Sequence, residues 1–574
     1  MKNQDSSGKG SRKSLRILPG IIIVILQWLL WFVLPLVIPD QTATAAGVFG
    51  GLVGGLLLAI WWAFFSRTTV KERIISSVLV VLSLLGTTLI LDRSIATAMM
   101  GMMFITYAVP ILSLLFVAWV VITRNITGNA RLISMILVIV AGSGFWALLR
   151  TDGMTGEARQ YFNWRWAKTA EEKMMARSSA GTNSAADDSL FFITEPEWPG
   201  FRGHDRNSIV HGVTISADWN QSPPEELWRS PVGPGCSSFA IHGNLLFTQE
   251  QRGESEMVSC YDLMSGKPVW NHADNIRFWD SHAGAGPRST PTLYKGRVYS
   301  VGATGMLNVL NEQDGSVVWS RDAGKDSGVK IPVWGFTSSP LVTDSAIYIG
   351  ISGKMLAYNA KTGDLLWQGE DGGESYCSPQ LMNINGNQMI VFNNGAGVFG
   401  HSPSDGKMLW SVPISGSRII QPAFPGKDEI LIDMGNIKGL KLVSVKSESG
   451  KWNTEELWTT NKLKPYFNDL VIHKDHVYGF DGPVLTCIDI RNGEKKWRGG
   501  RFSGEILLLA DQDLLIVLTE KGEIVLVNAK PDEYKELAHL KAIEGKTWNH
   551  PAIAGNILVV RNAVEMAAFR LAMK

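Results

Sequence analysis

The stretch Ala357-Tyr358-Asn359-Ala360-Lys361-Thr362-Gly363-Asp364-Leu365-Leu366-Trp367 decides the architecture of this chain, because its wording returns at regular intervals. Glycine and tryptophan keep the same spacing at Gly266 and Trp270, Gly315 and Trp319, Gly406 and Trp410, and Gly493 and Trp497, with a stretched copy from Gly450 to Trp458. A repeat of roughly 40 to 50 residues is the period of propeller blades, each a small antiparallel sheet. The Asx side chain starts a turn by hydrogen-bonding to the backbone, and glycine supplies the positive φ that closes a hairpin. The outer strand then ends in a large ring able to wedge against the next blade.

Ahead of each phrase lies a Ser/Pro start and an alternating apolar strand, as in Ser289-Thr290-Pro291-Thr292-Leu293 and Ser338-Ser339-Pro340-Leu341-Val342. Eight such inner strands are expected, starting near Ser237, Ser289, Ser338, Cys377, Ile420, Asn468, Ile506 and His550. The seventh blade has no tryptophan, and the eighth reaches Lys574 without an outer strand. Glu225-Glu226-Leu227-Trp228 repeats the wording of Glu455-Glu456-Leu457-Trp458, so the strand around Trp228 is expected to close the ring and remove an exposed edge.

With these motifs, residues 198–574 resemble the PQQ-like repeat family, the eight-bladed propellers of quinoprotein alcohol dehydrogenases and of the outer-membrane assembly-factor lipoprotein. The resemblance implies that Trp228, Trp270, Trp319, Trp367, Trp410, Trp458 and Trp497 are docking residues that hold blades together. It does not choose between an enzyme and an inert scaffold, since the docking motif touches no substrate.

The first 150 residues are a different material. Apolar stretches at 17–38, 46–65, 74–91, 101–122 and 131–149 each approach the ~20 residues that cross a bilayer as a helix, which gives five expected spans. A cleavable signal peptide would suit Ala43-Thr44-Ala45-Ala46, but the first apolar run is too long for one and four more follow. Lys2, Lys9, Arg12, Lys13 and Arg16, then Arg67, Lys71 and Arg73, then Arg124 and Arg131 alternate with loops holding only Asp40, Asp92 and Arg93. By the positive-inside bias the N-terminus is cytoplasmic and the propeller lies outside the bacterial cytoplasmic membrane. Gly47, Gly50, Gly51, Gly54 and Gly55 suit close helix packing. The expected organisation is a basic tail (1–16), a five-helix bundle (17–150), a juxtamembrane helix and flexible linker (151–197), and an all-β eight-bladed propeller (198–574).

In the linker, Tyr161, Phe162, Trp164 and Trp166 interleave with Arg165, a pattern that suits a collar at headgroup level or packing on the propeller's flank. A formal net charge of +1 over 574 residues gives no field that would draw nucleic acid. Among four cysteines, Cys260 and Cys487 stand two residues before Asp262 and Asp489 and should fill matched core positions. No CxxC or zinc spacing occurs.

Chemistry is expected on the loops leading into the inner strands, which topology gathers at one end of the ring. There Trp279, Asp280, His282, Arg288, Trp334, Glu374, Tyr376, Arg418, Tyr466, Trp548 and His550 would line a funnel of aromatic and charged groups. His282 beside Asp280 could serve as a base, but no Ser-His-Asp order, nucleotide loop or metal-ligand pair accompanies it. The expected function is a membrane-anchored, non-catalytic scaffold binding a protein, peptide or glycan, with no cofactor and no metal. The alternative is a quinoprotein dehydrogenase that uses PQQ with calcium and passes electrons to membrane quinone. The five-span anchor resembles the layout of membrane quinoprotein glucose dehydrogenases, whereas those propellers carry long inserted loops absent from this chain.

Overall fold

The computed structural model describes residues 16–38, 41–156, 160–177, 195–384, 386–414, 419–426, 428–435 and 438–574. Residues 1–15 of the basic tail, Asp40, the small-residue stretch at 178–189 and Arg418 lie outside the described residues. Two compact units divide between Ala167 and Lys168.

The first unit is a bundle of apolar helices. Leu18–Val37, Ala43–Phe65, Met103–Ile122 and Asn129–Leu148 are long and apolar enough to cross a membrane, and the bent pair Val70–Thr88 and Arg93–Gly101 makes a fifth if counted as one span. The third stretch differs from the expected 74–91 because caps, not hydropathy, set its ends. Thr69 accepts from the Glu72 amide at 3.3 Å to start the helix, and Asp92 accepts from the Ser94 amide at 2.9 Å to start a new one, bent by 108°. The glycine-rich helix packs as closely as its composition suggests. A Cβ at Gly54 would stand 2.6 Å from the Gln27 side chain, and one at Gly55 2.3 Å from Val109. Gln27 is a buried amide that donates to the Gly51 carbonyl at 2.6 Å.

Beyond the last long helix, Leu149–Met154 and Gln160–Trp164 pair as a hairpin. Trp164 and Trp166 stack on one another at 5.1 Å, and Arg165 donates to the Ile90 carbonyl at 3.1 Å. The interleaved arginine therefore ties the hairpin to the end of the bundle.

The second unit is an eight-bladed propeller. Inner strands Ala240–His242, Thr292–Tyr294, Leu341–Val342, Gln380–Ile384, Ala423–Gly426, Val471–His473, Gly504–Leu509 and Ala552–Ala554 each open one blade. The eighth sheet takes Glu225–Pro231 as its outer strand, with Trp228 opposite Ala568.

The recurring Gly-Trp phrase works across blade boundaries. The Trp228 ring lies on Gly266, Trp270 on Gly315, Trp319 on Gly363, Trp367 on Gly406 and Trp458 on Gly493, so close that an added Cβ would come within 2.4–3.0 Å of each. These glycines have φ between +66° and +73°, so turn geometry and ring stacking both demand a bare Cα. Each indole also donates to a carbonyl of the next blade, Trp228 to Leu263 at 2.8 Å and Trp497 to Lys530 at 2.7 Å among them. Trp410 departs from the pattern and turns into its own blade, its indole nitrogen 3.1 Å from the Met389 sulfur. The next blade has the long hairpin Leu440–Glu448 and Lys451–Thr460, whose Gly450 meets no ring. Cys260 and Cys487 pair in register with Trp270 and Trp497, and all four cysteines are free thiols.

The sequence gives no hint of what residues 197–211 do. Glu197 accepts from the Gly243 amide at 2.8 Å and His211 pairs with Asp511 at 3.0 Å, both in turns that follow inner strands. Between these anchors the segment crosses the channel. Pro199 accepts from the Leu293 amide (2.7 Å), Arg206 donates to Pro340 and Ser339 carbonyls (2.7 and 2.9 Å), and Arg202 donates to the Leu470 carbonyl (2.6 Å). Ser208 accepts from the Leu508 amide at 2.9 Å. Arg202, Arg206 and Ser208 hold φ of 62°, 54° and 64°, a strain that persists only where surrounding contacts fix the backbone. This plug closes the end of the channel opposite the loops that lead into the inner strands.

Candidate functional site

At the open end, the loop after blade 1 is stiffened by its own charges. Trp279–Asp280 pairs with Gly284–Ala285, and one Asp280 oxygen accepts from the His282 and Ala283 amides at 2.6 and 3.0 Å. The other oxygen meets Arg288, whose remaining donors reach the carbonyls of Gly284, Ala285 and Trp334. Burial alone would push the Asp280 carboxyl up, but His282, Arg288 and the two amides hold it down at about 2. Asp280 and Arg288 are thus a buried staple, with few bonds left for a ligand.

The other expected residues form an arc around the mouth. His282 meets the Trp334 ring edge-on at 5.9 Å, Trp334 packs on Tyr376 at 4.6 Å, and the Tyr376 hydroxyl donates to Glu374. On the other side Tyr466 meets Phe467 and Phe467 meets Trp548, each at 5.4 Å, and Trp548 donates to Glu520 at 2.5 Å. Trp279 is half-buried on its short strand.

His550 lies elsewhere. It is buried below the mouth, its Nε2 2.9 Å from Ser208 and its ring stacked on Trp198, and burial with the Arg202 charge pulls it down to about 3. It steadies the plug. Residues not anticipated from sequence join the two halves of the arc. Lys546 donates to the His282 carbonyl at 2.7 Å and lies 4.1 Å over the Trp548 ring, while Cys236 stands 3.9 Å from Arg288. A separate cavity of about 310 Å³, lined by Ile276, Met306, Asp322, Lys325 and Ile331 among others, contains none of the expected residues.

PQQ with calcium requires a flat aromatic floor, several oxygen ligands for the ion and a carboxylate free to take a proton. Tyr376 is already packed against Trp334, and both Asp280 oxygens are bound to protein donors. No group of three His, Cys, Asp or Glu able to hold a metal ion occurs among the described residues. Asp280 and Tyr376 are thus engaged by protein groups rather than poised for this pair.

Residues 220–375 and 254–498 match the family model described as outer membrane protein assembly factor BamB. An assembly factor of that name from Shewanella oneidensis is 28% identical over 155 residues, 25% of this chain and 36% of the relative. The quinoprotein alcohol dehydrogenase PedH of Pseudomonas putida is 21% identical over 291 residues, 49% of this chain and 46% of the relative. The chain thus spans less than half the length of either relative. A europium-containing methanol dehydrogenase shares the fold with a TM-score of 0.50 at 10% identity, covering 67% of this chain and 100% of that one. The motif, the eight blades and the family match agree: the second unit of this chain is an eight-bladed β-propeller, and residues 220–498 of it resemble the PQQ-like repeat family.

Proposed function

We propose that this protein is a membrane-anchored scaffold whose propeller, outside the bacterial cytoplasmic membrane, binds a protein, peptide or glycan partner at its open end without redox chemistry. The observation that carries this reading is the pairing of Asp280 with Arg288. The acid an oxidation would use as a base is held at about 2 by its neighbours, while Trp334, Tyr376, Tyr466 and Trp548 are only partly covered. The relatives named as assembly factors favour a protein among the possible partners.

A photoreactive side chain placed at Trp334 or Tyr376 in intact cells should give discrete covalent adducts, while one at Val317 on the outer strand of blade 2 should give none. Adducts from position 317 alone would move the binding surface elsewhere. PQQ- and calcium-dependent dye reduction with an alcohol or sugar, lost in Asp280→Asn, would make the dehydrogenase reading the right one.

Topology follows from the basic residues. In a Cys236→Ser background, an impermeant maleimide applied to intact spheroplasts should label a cysteine placed at Arg93 and spare one at Lys71 or Thr127. Labelling at Lys71 would reverse the orientation and put the propeller in the cytoplasm.

A further inference from the structure

Lys546 is a cation at the mouth with hydrogen-bonding capacity to spare. Arg288 has its guanidinium bound to Asp280 and three carbonyls. Lys546 has three N–H donors, of which one goes to the His282 carbonyl, and its charge lies against the Trp548 face. The two acids that act on it electrostatically are engaged elsewhere, Asp280 with Arg288 and Glu520 with the Trp548 indole. The residue is half-buried, its ammonium held between the His282 carbonyl and the Trp548 ring. His282 then links it to the Trp334 and Tyr376 rings.

Resting on the binding reading above, we propose that Lys546 receives a carboxylate of the partner, with the Trp334 and Tyr376 rings taking the apolar group beside it. A single ammonium with two open donors suits a monoanion. A phosphate dianion would exceed the single charge offered here, and Arg288 has no donor to add. The carboxylate could belong to an acidic side chain or to a chain terminus.

The probe is 4-fluorophenylacetate against its neutral amide, 4-fluorophenylacetamide, followed by fluorine NMR with the full chain in detergent. The acid should bind on the order of tenfold more tightly than the amide. Lys546→Met should bring the acid down to the amide's level, and Lys546→Arg should keep most of the difference. Acid binding should also weaken as pH rises through about 8, where burial places the free ammonium. Cys236, Asp280, Glu520, Arg288 and His282 also face this group, so the amide run over the same pH range separates its titration from theirs.

Acid and amide binding alike, with both lost in Trp334→Ala, would overturn the carboxylate site and leave the aromatic binding surface standing. Binding of neither would overturn both. The comparison of acid with amide on the unaltered protein decides the matter even if Lys546→Met fails to fold. An internal Glu peptide compared with one bearing only a free C-terminus then tells which kind of carboxylate is taken.

Discussion

Deletion of residues 195–232 is expected to leave a chain that aggregates or melts without a cooperative transition. Three supports go at once. The eighth blade loses Glu225–Pro231, the outer strand that pairs with Glu565–Arg570, and exposes a free edge to other chains. The boundary between blades 8 and 1 loses Trp228, which is buried, lies on Gly266 and donates to the Leu263 carbonyl. The channel loses the plug, with Arg202 and Arg206 bridging blades 6 and 3. Burying one large aromatic side chain contributes about 2–3 kcal/mol and each backbone bond about 1 kcal/mol, so the sum rivals the roughly 5–15 kcal/mol that stabilises a typical domain. A milder variant, Trp228→Ala, should keep the fold and cost about 3–5 kcal/mol in denaturant titration. A monodisperse deletion protein with an unchanged melting temperature would show that the ring closes by other means.

Much of the fold is legible because the propeller repeats one local device. The Asx-Gly-Trp phrase encodes a turn, a bare Cα and the ring that covers it, all within a few residues, so eight blades can be counted from the chain alone. Trp410 escapes because its platform belongs to the following blade, where the long hairpin puts Gly450 out of reach. The plug is illegible for a related reason. Its positive φ values fall on Arg202, Arg206 and Ser208, residue types that do not announce them, and its partners stand up to 342 positions away, as with Ser208 and His550.

The candidate site shows the same limit. Reactive residue types at the mouth could be picked out, but not whether they faced a ligand or one another. Asp280 and Arg288 turned out to be bound together, and His550 to the plug. Nothing in the sequence around Lys546 sets it apart from any other lysine in a glycine-containing loop. Its standing depends on a carbonyl 264 positions away and on arginine donors already engaged.

Glu505→Gln is expected to stabilise the propeller at pH 8 and to matter little at pH 4. Glu505 stands on the seventh inner strand and faces the plugged part of the channel, with Asn468 3.5 Å from its carboxylate. Burial and the neighbouring Asp469 push its carboxyl up to about 8, against the pull of Arg202. An acid whose folded value is raised holds its proton longer in the folded state, so that state binds more protons between the unfolded value near 4.5 and about 8. Stability must then fall as pH climbs through that window and level off above it. Glutamine keeps the shape and the hydrogen-bonding amide without the charge, and should remove this loss. Because Glu505 is only partly buried, solvent screens the charge, and the gain at pH 8 should be roughly 2 kcal/mol, below the full linkage value. Asp469 is also raised by burial, though Arg202 at 3.4 Å draws it back, so Asp469→Asn should follow the same pH trend with a smaller gain. Thermal melts of the two variants from pH 4 to 9 check both trends. A Glu505→Gln protein that tracks the wild type across the range would mean the carboxylate is hydrated and the channel open to solvent on that side.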